Sequence, residues 1–255
     1  MEKIISAVKR YDLAIINRSF WPTGMTIGES LLQLSEKTVH EGKCAVVITQ
    51  SSKNLKKITK ENNRGLGVTF KTCKLRSDSS TKLLYRIFDA VIFMFCVIWN
   101  LILTRPKNIY VSTDPPLLVP FVVFLYSKIS GSSYVYHLQD IHPEVGKGLI
   151  KLNPMLFVFF KKIDNLVIRN ASSIITLTQT MKNEIITRSK LRSKIHLVDN
   201  PTATIVGITQ GKINGFVFSG NVGRLQRIPL LLKSIKKYKE QGGVLPFLFI
   251  GAGVY

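Results

Sequence analysis

The chain has 255 residues, enough for one large domain or for one domain and part of another. Apolar residues make up 45% of it, which excludes an intrinsically disordered protein. Its 36 lysines and arginines against 15 acidic residues give a formal net charge of +21. This excess suits a negatively charged partner: nucleic acid, an anionic membrane face or a phosphate-bearing substrate.

The cysteines and the N-terminus indicate the compartment. Cys44, Cys73 and Cys96 are odd in number and far apart, with no C-x-x-C pair. This pattern favours a reducing compartment and argues against a disulfide framework or a zinc site. The first residues, MEKIISAVKRYD, lack the long apolar core and small-residue cleavage site of a signal peptide. We therefore expect a cytoplasmic protein without a metal site.

The first predicted unit is a strand, a glycine-containing loop and a helix. Leu13–Asn17 has the apolar run of a short buried strand, and Gly24 lies in the loop after it. Thr26 and Glu29 have the spacing of a capping box at the start of the helix. Such a loop suits a phosphate at the helix N-terminus. Because Gly24 and Gly28 match neither the Rossmann nor the Walker spacing, a plain tight turn is the alternative.

A long apolar segment follows a predicted strand, Cys44–Thr49, and a strongly basic tract. Leu83–Leu103 has about the 20 residues of a membrane span. Its Asp89 and Asn100 would be costly in lipid. We therefore favour a helix that packs on the sheet or lies in the membrane interface, beside basic residues that bind anionic headgroups. A true span is the third alternative.

Beyond this segment, strands and helices alternate regularly. The expected elements are strands Ile109–Ser112, Tyr134–Leu138, Ser173–Thr176 and Ile195–Val198, and helices Leu117–Ile129, Met155–Asn170 and Met181–Lys190. This alternation is typical of an α/β protein with a parallel sheet covered on both faces.

The polar segment 201–215, with one proline and three glycines, is typical of an interdomain linker. It separates an N-terminal domain, 1–200, from the beginning of a second one, 216–255. The expected elements of the second are strand Phe216–Ser219, helix Pro229–Gln241 and strand Phe247–Ile250. One such unit cannot bury a core of its own, so we expect this domain to be incomplete.

The densest group of chemically capable side chains follows the predicted strand Tyr134–Leu138. His137, Asp140, His142 and Glu144 lie at its end and in the loop after it. In an open parallel sheet, ligands bind at the loops that follow the carboxyl ends of the strands. Two imidazoles and two carboxylates suit general acid–base chemistry there. The alternative is an ordinary loop in which Asp140 caps the next helix.

Several motifs, in their order along the chain, resemble those of glycosyltransferase family 4, specifically the bacterial enzymes that assemble O-antigen, capsule and exopolysaccharide. They are FWPTGMTIGE, YVYHLQDIHPEVGKGL, LVDNPTA, FVFSGNVGRLQ and FLFIGAGVY. The resemblance implies the GT-B fold, two Rossmann-like domains across a cleft, with the acceptor mostly on the first and the donor mostly on the second. It also implies retaining sugar transfer from a nucleoside diphosphate sugar, without a metal ion or cofactor.

The resemblance further implies a polyprenyl diphosphate-linked saccharide as acceptor, at the inner face of the membrane. Such an acceptor accounts for both the +21 charge and the apolar segment. The protein would then attach peripherally to the anionic inner membrane from the cytoplasm and would not bind nucleic acid.

The resemblance also implies roles for individual residues. Arg224, in the S-G-N-x-G-R run, would hold the donor diphosphate, and Arg227 would partly replace a lysine that many relatives carry nearby. The other residues expected at the donor diphosphate are Gly24, Gly220, Asn221, Gly223 and Gly251. Asp140, His137 or Glu144 would orient or deprotonate the acceptor hydroxyl. Alternatively, the departing phosphate takes that proton in a front-face reaction.

Three further alternatives remain open. The family's E-x7-E segment, whose second glutamate holds the donor ribose, has no counterpart here, so we expect a fragment or a truncated gene product. An inactive remnant that only binds membrane or acceptor is the first alternative. A nucleic-acid binder is suggested by charge alone, without a helix-turn-helix, an RNP-like aromatic pattern or a zinc site. A GT-B epimerase acting on nucleotide sugars would not need the apolar helix.

Overall fold

The computed structural model describes residues 10–76, 83–144, 153–191, 194–200, 214–220, 222–223, 226–251 and 253. One parallel sheet contains β1 (Leu13–Ile16), β2 (Ala45–Ser51), β3 (Thr69–Lys74), β4 (Asn108–Ser112), β5 (Ser133–Leu138), β6 (Ser173–Thr176) and β7 (Ile195–Leu197), and a second contains β8 (Phe216–Ser219) and β9 (Phe247–Ile250). The helices are α1 (Met25–His40), α2 (Leu55–Glu61), α3 (Leu83–Thr104), α4 (Leu118–Ser130), α5 (Pro154–Asn170), α6 (Gln179–Ser189) and α7 (Ile228–Glu240).

The seven strands of the larger sheet lie in the order β3-β2-β1-β4-β5-β6-β7, and all neighbours are parallel. The chain starts in the middle, moves out to β3, returns across the sheet through α3 and continues outward from β4. The direction of travel therefore reverses between β1 and β4. In sheets of this kind a crevice forms at that point, outside the carboxyl ends of the two strands.

Alternate side chains of each strand enter two hydrophobic cores, one on each face of the sheet. Ile15, Val47 and Tyr110 belong to the core under α1 and α2. Ile16 and Tyr136 belong to the core under the helices α3 to α6. Both faces are thus covered, as the alternation of strands and helices predicts.

Two elements, α2 and β3, were not predicted because they lie in the basic tract. Lysines dominate their surface, whereas the residues that anchor them are few: Leu55 of α2 and Phe70 of β3 are buried. β3 is an edge strand, where exposed lysines discourage pairing with other chains.

The predicted capping box at the start of α1 is wrong. The helix begins at Met25, one residue before Thr26, and its N-cap residue is Gly24, which offers no side chain. Glu29 instead accepts a hydrogen bond from Arg64 Nη2 at 2.9 Å. Glu29 therefore serves tertiary packing and does not cap its own helix.

Helix α3 packs on the sheet with one face and leaves the other exposed. The two polar residues of the segment lie on the packed face: Asp89 is 1% exposed and Asn100 is 9% exposed. Gln50 Nε2 donates to Asp89 Oδ1 at 3.2 Å, and Asn100 Nδ2 donates to the Cys96 carbonyl at 2.8 Å. Among the described helices, α3 alone has the length and composition needed to cross a membrane. Asp89 and Asn100, however, are turned toward protein.

The smaller sheet is one strand–helix–strand unit. β8 and β9 are parallel, and Phe216 stacks on Phe247 with 4.7 Å between ring centroids. Tyr238 of α7 meets both rings edge-on. The predicted strands agree with these bounds. The predicted boundaries of the two domains stay a prediction, and most of the linker lies outside the described residues.

We expect Gly28→Ala to destabilise the protein, because α1 packs directly on the loop that precedes it. An added Cβ would lie 2.5 Å from the Trp21 amide nitrogen and 2.8 Å from the Phe20 carbonyl carbon. Overpacking against backbone should lower the free energy of unfolding by about 2 kcal/mol. This loss outweighs the roughly 1 kcal/mol by which alanine favours a helix.

Urea unfolding of the purified variant measures this effect. The control is Lys37→Ala at an exposed position of the same helix, where a change below about 0.5 kcal/mol is expected. Equal stability of the two variants would contradict the close packing at Gly28.

Candidate functional site

The loops after β1, β4 and β5 are joined at the carboxyl edge of the larger sheet. The Thr113 amide donates to the His137 carbonyl at 3.2 Å, and the Gln139 amide donates to Thr113 Oγ1 at 3.3 Å. The Arg18 amide donates to the Asp114 carbonyl at 2.8 Å. Since this edge includes the crevice between β1 and β4, it is the candidate functional site.

Polar residues directly after β1 and β4 satisfy one another at the crevice. Asn17 is fully buried, its amide donates to the Ser19 carbonyl, and Ser112 Oγ donates to its oxygen. Arg18 Nε lies 3.0 Å from Asp114 Oδ1, and the Ser19 amide donates to Asp114 Oδ2 at 2.9 Å. These residues were not predicted as site residues. Their only signal in the sequence is a polar residue at or just after the end of each strand, and their pairing depends on the strand order.

His137 lies within the sheet and not in the exposed loop. It is 5% exposed, and its Nδ1 shares a short hydrogen bond with the Tyr110 hydroxyl. Among the described residues, no hydrogen-bond partner meets its buried Nε2. Burial lowers the pKa of His137 to about 4, so the ring is neutral near pH 7.

The two predicted catalytic carboxylates have different surroundings. Asp140 is exposed in the loop after β5. Glu144 forms ion pairs with Lys161 Nζ at 2.8 Å and with Arg188 Nη1 at 3.0 Å. Glu144 therefore ties the loop after β5 to α5 and α6, whereas Asp140 is accessible to a ligand.

Arg188 is the centre of a buried polar cluster under this loop. Its side chain is 1% exposed and pairs with the equally buried carboxylate of Asp164. It also donates to Asn165 Oδ1 at 2.8 Å and to the His142 carbonyl at 3.0 Å. Burial raises the pKa of Asp164, and Arg188 opposes that shift. The cluster fixes the loop from two helices, α5 and α6, which no local sequence pattern reveals.

Gly24, the predicted donor-binding glycine of the first loop, lets that loop fold back on itself. A Cβ there would lie 3.1 Å from the Ser19 carbonyl carbon and 3.3 Å from the Phe20 amide nitrogen. The tightest contact of the loop is nevertheless at Gly28, in the first turn of α1.

The predicted donor-binding glycines of the second unit come together at the carboxyl edge of the smaller sheet. The Gly220 amide donates to the Ile250 carbonyl at 2.9 Å, and a Cβ on Gly251 would lie 1.9 Å from the Gly220 oxygen. Only glycine fits at Gly251, because its neighbour is backbone. A Cβ on Gly223 would lie 2.8 Å from Gln226 Oε1, a flexible side chain.

Arg227 directly precedes α7 as its N-cap residue. Its φ of +48° is unusual for a residue other than glycine, and its side chain is exposed. The other two predicted donor residues, Asn221 and Arg224, lie outside the described residues.

The part of the chain that the structure describes contains no group of three or more His, Cys, Asp or Glu side chains placed to hold a metal ion.

No protein-family model and no curated protein matches the chain. Solved structures do match it over nearly its whole length. One is Arabidopsis thaliana UGT89C1, with a TM-score of 0.57 and 10% identity over 97% of this chain and 70% of that one. Another is the glycotransferase of kitacinnamycin, with a TM-score of 0.55 and 10% identity over 95% of this chain and 69% of that one. A third is a putative UDP-N-acetylglucosamine 2-epimerase from Listeria monocytogenes, with a TM-score of 0.51 and 10% identity over 95% of this chain and 69% of that one.

The chain has the GT-B fold. This confirms the fold class that the sequence resemblance implies. At 10% identity the likeness extends to the fold alone, and it includes both transferases and an epimerase. Membership of family 4 stays a prediction.

We expect the buried ring of His137 to make the protein sensitive to mild acid. Its pKa is about 4 in the folded state and about 6.5 in an unfolded chain, so the unfolded state binds the proton more strongly. The contribution to stability is complete above pH 6.5 and is lost as the pH falls toward 4. Between pH 7 and pH 5 the loss should reach about 2 kcal/mol.

Urea unfolding at the two pH values, with the wild type and His137→Gln, measures this contribution. The variant should lose less stability than the wild type over that interval. His40→Gln, at an exposed position, should behave like the wild type. The assignment to His137 would be wrong if all three proteins lost the same free energy of unfolding.

Proposed function

We propose that the protein takes part in glycosyl transfer from a nucleoside diphosphate sugar, with retention, to a polyprenyl diphosphate-linked saccharide in surface polysaccharide biosynthesis. The observation that carries this proposal is the pair of glycine loops after β8 and β9. They lie side by side at the carboxyl edge of a parallel sheet in a GT-B fold. One structure of the similar Arabidopsis protein is a complex with UDP.

The proposed donor side would supply the groups that a departing diphosphate requires. Negative charge develops on the leaving group, and fixed N–H donors and cations stabilise it. Gly220 and Gly251 allow backbone to approach a phosphate closely. Arg227 adds a positive charge at the start of α7, and Arg224 is proposed for the same role from the sequence motif. Asn221 and Gly223 complete the proposed loop.

On the acceptor side, Asp140 is the strongest candidate among the three predicted acid–base residues. Its carboxylate is exposed at the edge where the crevice opens. His137 is buried and neutral, and Glu144 is held by two cations. We therefore propose that Asp140 orients or deprotonates the acceptor hydroxyl, and that the other two support its loop.

A nucleotide-sugar epimerase is the second candidate function. The likeness to the Listeria protein favours it, since the same fold carries both activities. Analysis of the products separates the two. A transferase moves labelled sugar to the lipid-linked acceptor, whereas an epimerase changes the sugar while it remains on the nucleotide. A chain that binds acceptor or membrane but yields neither product would be the inactive remnant.

The exposed faces of α3, α4 and α5 support a proposed attachment to the membrane. These helices are neighbours on one face of the sheet. Together they expose a surface of large apolar residues, which we call the apolar platform: Leu84, Tyr85, Ile87, Phe88, Phe95, Trp99, Ile102, Leu103, Leu118, Leu125, Ile129, Met155, Leu156, Val158, Phe159 and Leu166. Apolar patches of this extent mark interaction sites.

The charges of the platform helices fit an anionic bilayer. The only carboxylates on them, Asp89 and Asp164, are each 1% exposed. Their exposed or half-buried cations include Arg86, Lys128, Lys162 and Arg169. A surface that is apolar and positive, without exposed negative charge, suits headgroups of anionic lipids. We propose peripheral association with the cytoplasmic face of the inner membrane.

We expect Arg227→Gln to weaken binding of UDP about tenfold, because a charge-assisted hydrogen bond to phosphate contributes about 1.5 kcal/mol or more. Isothermal titration with UDP measures the change. Lys233→Gln removes an exposed positive charge from the same helix and is the matched control. Equal weakening by both substitutions would mean that only the overall charge attracts UDP, and Arg227 would not be a donor ligand.

We expect Trp99→Glu to reduce binding to vesicles that contain phosphatidylglycerol by at least tenfold, because it places a negative charge on the platform. Trp99 is 64% exposed, so folding should tolerate the change. The control is Leu66→Glu, at a residue 73% exposed outside the platform, and cosedimentation with vesicles is the measurement. If both variants sediment like the wild type, the platform does not bind membrane.

A further inference from the structure

Arg18 is the second residue after β1, at the crevice where the strand order reverses. The chain leaves the carboxyl ends of β1 and β4 in opposite directions along the sheet, toward β2 and toward β5. Neither the sequence motifs nor the similar structures give this residue a role. Its hydrogen bonds and ion pair, however, indicate one.

The backbone of Arg18 is fixed from two sides. Its amide donates to the Asp114 carbonyl at 2.8 Å. Its carbonyl accepts hydrogen bonds from Thr49 Oγ1 at 2.9 Å and from the Gln50 amide at 3.3 Å. The C-terminal part of β2 and the loop after β4 therefore determine where this side chain starts.

The guanidinium group is held at one edge only. Asp114 Oδ1 lies 3.0 Å from Nε, while Asp114 Oδ2 accepts from the Ser19 amide at 2.9 Å. Within the described ranges, no residue forms a hydrogen bond or an ion pair with the two terminal nitrogens. The side chain is 24% exposed. A planar fork of N–H donors is thus oriented but left available to a ligand.

A purely structural ion pair is the simpler reading of this contact. Two observations count against it. The side chains of Arg18 and Asp114 are 24% and 22% exposed, and partly solvated pairs of this kind contribute little to stability. The two loops are already joined by the Arg18 amide and the Ser19 amide, both of which bind Asp114. These bonds persist without a guanidinium group.

We propose that Arg18 binds a phosphate group of a diphosphate at the crevice between β1 and β4, and that Asp114 is the positioning residue that orients it. A fork of this geometry matches phosphate oxygens in a bidentate manner. The proposal rests on the proposed function, which supplies two sources of a diphosphate: the nucleotide sugar and the lipid-linked acceptor.

Titration of the full chain with inorganic pyrophosphate, UDP and farnesyl diphosphate tests the proposal. Arg18→Gln should weaken binding of pyrophosphate at least tenfold and leave the midpoint of urea unfolding unchanged. Arg18→Lys should recover only part of the affinity, because an ammonium group has no fork. Lys53→Gln, which removes an exposed cation from the loop after β2, is the matched control and should bind like the wild type.

The other two probes identify the source. Loss of UDP binding alone assigns Arg18 to the donor, and loss of farnesyl diphosphate binding alone assigns it to the acceptor. The proposal would be overturned if the wild type bound none of the three probes. It would also be overturned if Arg18→Gln and Lys53→Gln bound pyrophosphate with equal affinity. A lower unfolding midpoint with unchanged affinity would show that the pair is structural. No step of this test requires turnover, so a protein that binds diphosphate through Arg18 without transferring sugar would refute the proposed function alone.

Discussion

The reversal of strand order between β1 and β4 is the constraint on which the site depends. Two adjacent parallel strands send their chains away in opposite directions, so the residues after them face a shared crevice. Polar groups that are buried in that place must satisfy one another. Asn17 and Ser112 do so, and the partly exposed side chains of Arg18 and Asp114 form an ion pair in the same loops. The same bonds that meet this requirement leave a guanidinium edge directed outward from a rigid base.

The return from β3 to β4 imposes a second requirement, which α3 meets. The helix must cross β2 and β1, and its packed face carries Asp89 because Gln50, at the end of β2, offers a buried partner. Nothing described covers the opposite face, yet it is as apolar as the packed one. A helix that is apolar on all sides but packed on only one requires a second apolar environment, a lipid or another protein surface, for its other side. This explains why the segment has the composition of a membrane span although Asp89 and Asn100 lie on its packed face.

Local sequence patterns predicted the strands and helices that have clear apolar runs. They did not predict the features that depend on contacts between residues far apart in the sequence. Strands β5 and β6 were found within one residue, since their side chains are buried on both faces. β3 was missed because its lysines conceal the single buried Phe70. Likewise, His137 was predicted to act at the ligand-binding end of β5, but its side chain is buried and shares a hydrogen bond with Tyr110. The pair of Arg188 and Asp164 joins two helices, so spacing along either helix carries no sign of it.

The topology of the sheet places the start of the apolar platform and the crevice at the same edge. The helices α3, α4 and α5 each follow a strand or its loop, so they begin at the carboxyl edge of the sheet, where the crevice lies. Leu84, Leu118 and Met155, at those beginnings, are exposed. The helices of the platform and the residues Arg18 and Asp140 thus share one edge of the sheet. A soluble substrate would need only the crevice, whereas the lipid-linked diphosphate proposed above would need both an apolar surface and a cation. A fork of N–H donors at this edge and a platform without exposed carboxylates are compatible with that proposed acceptor.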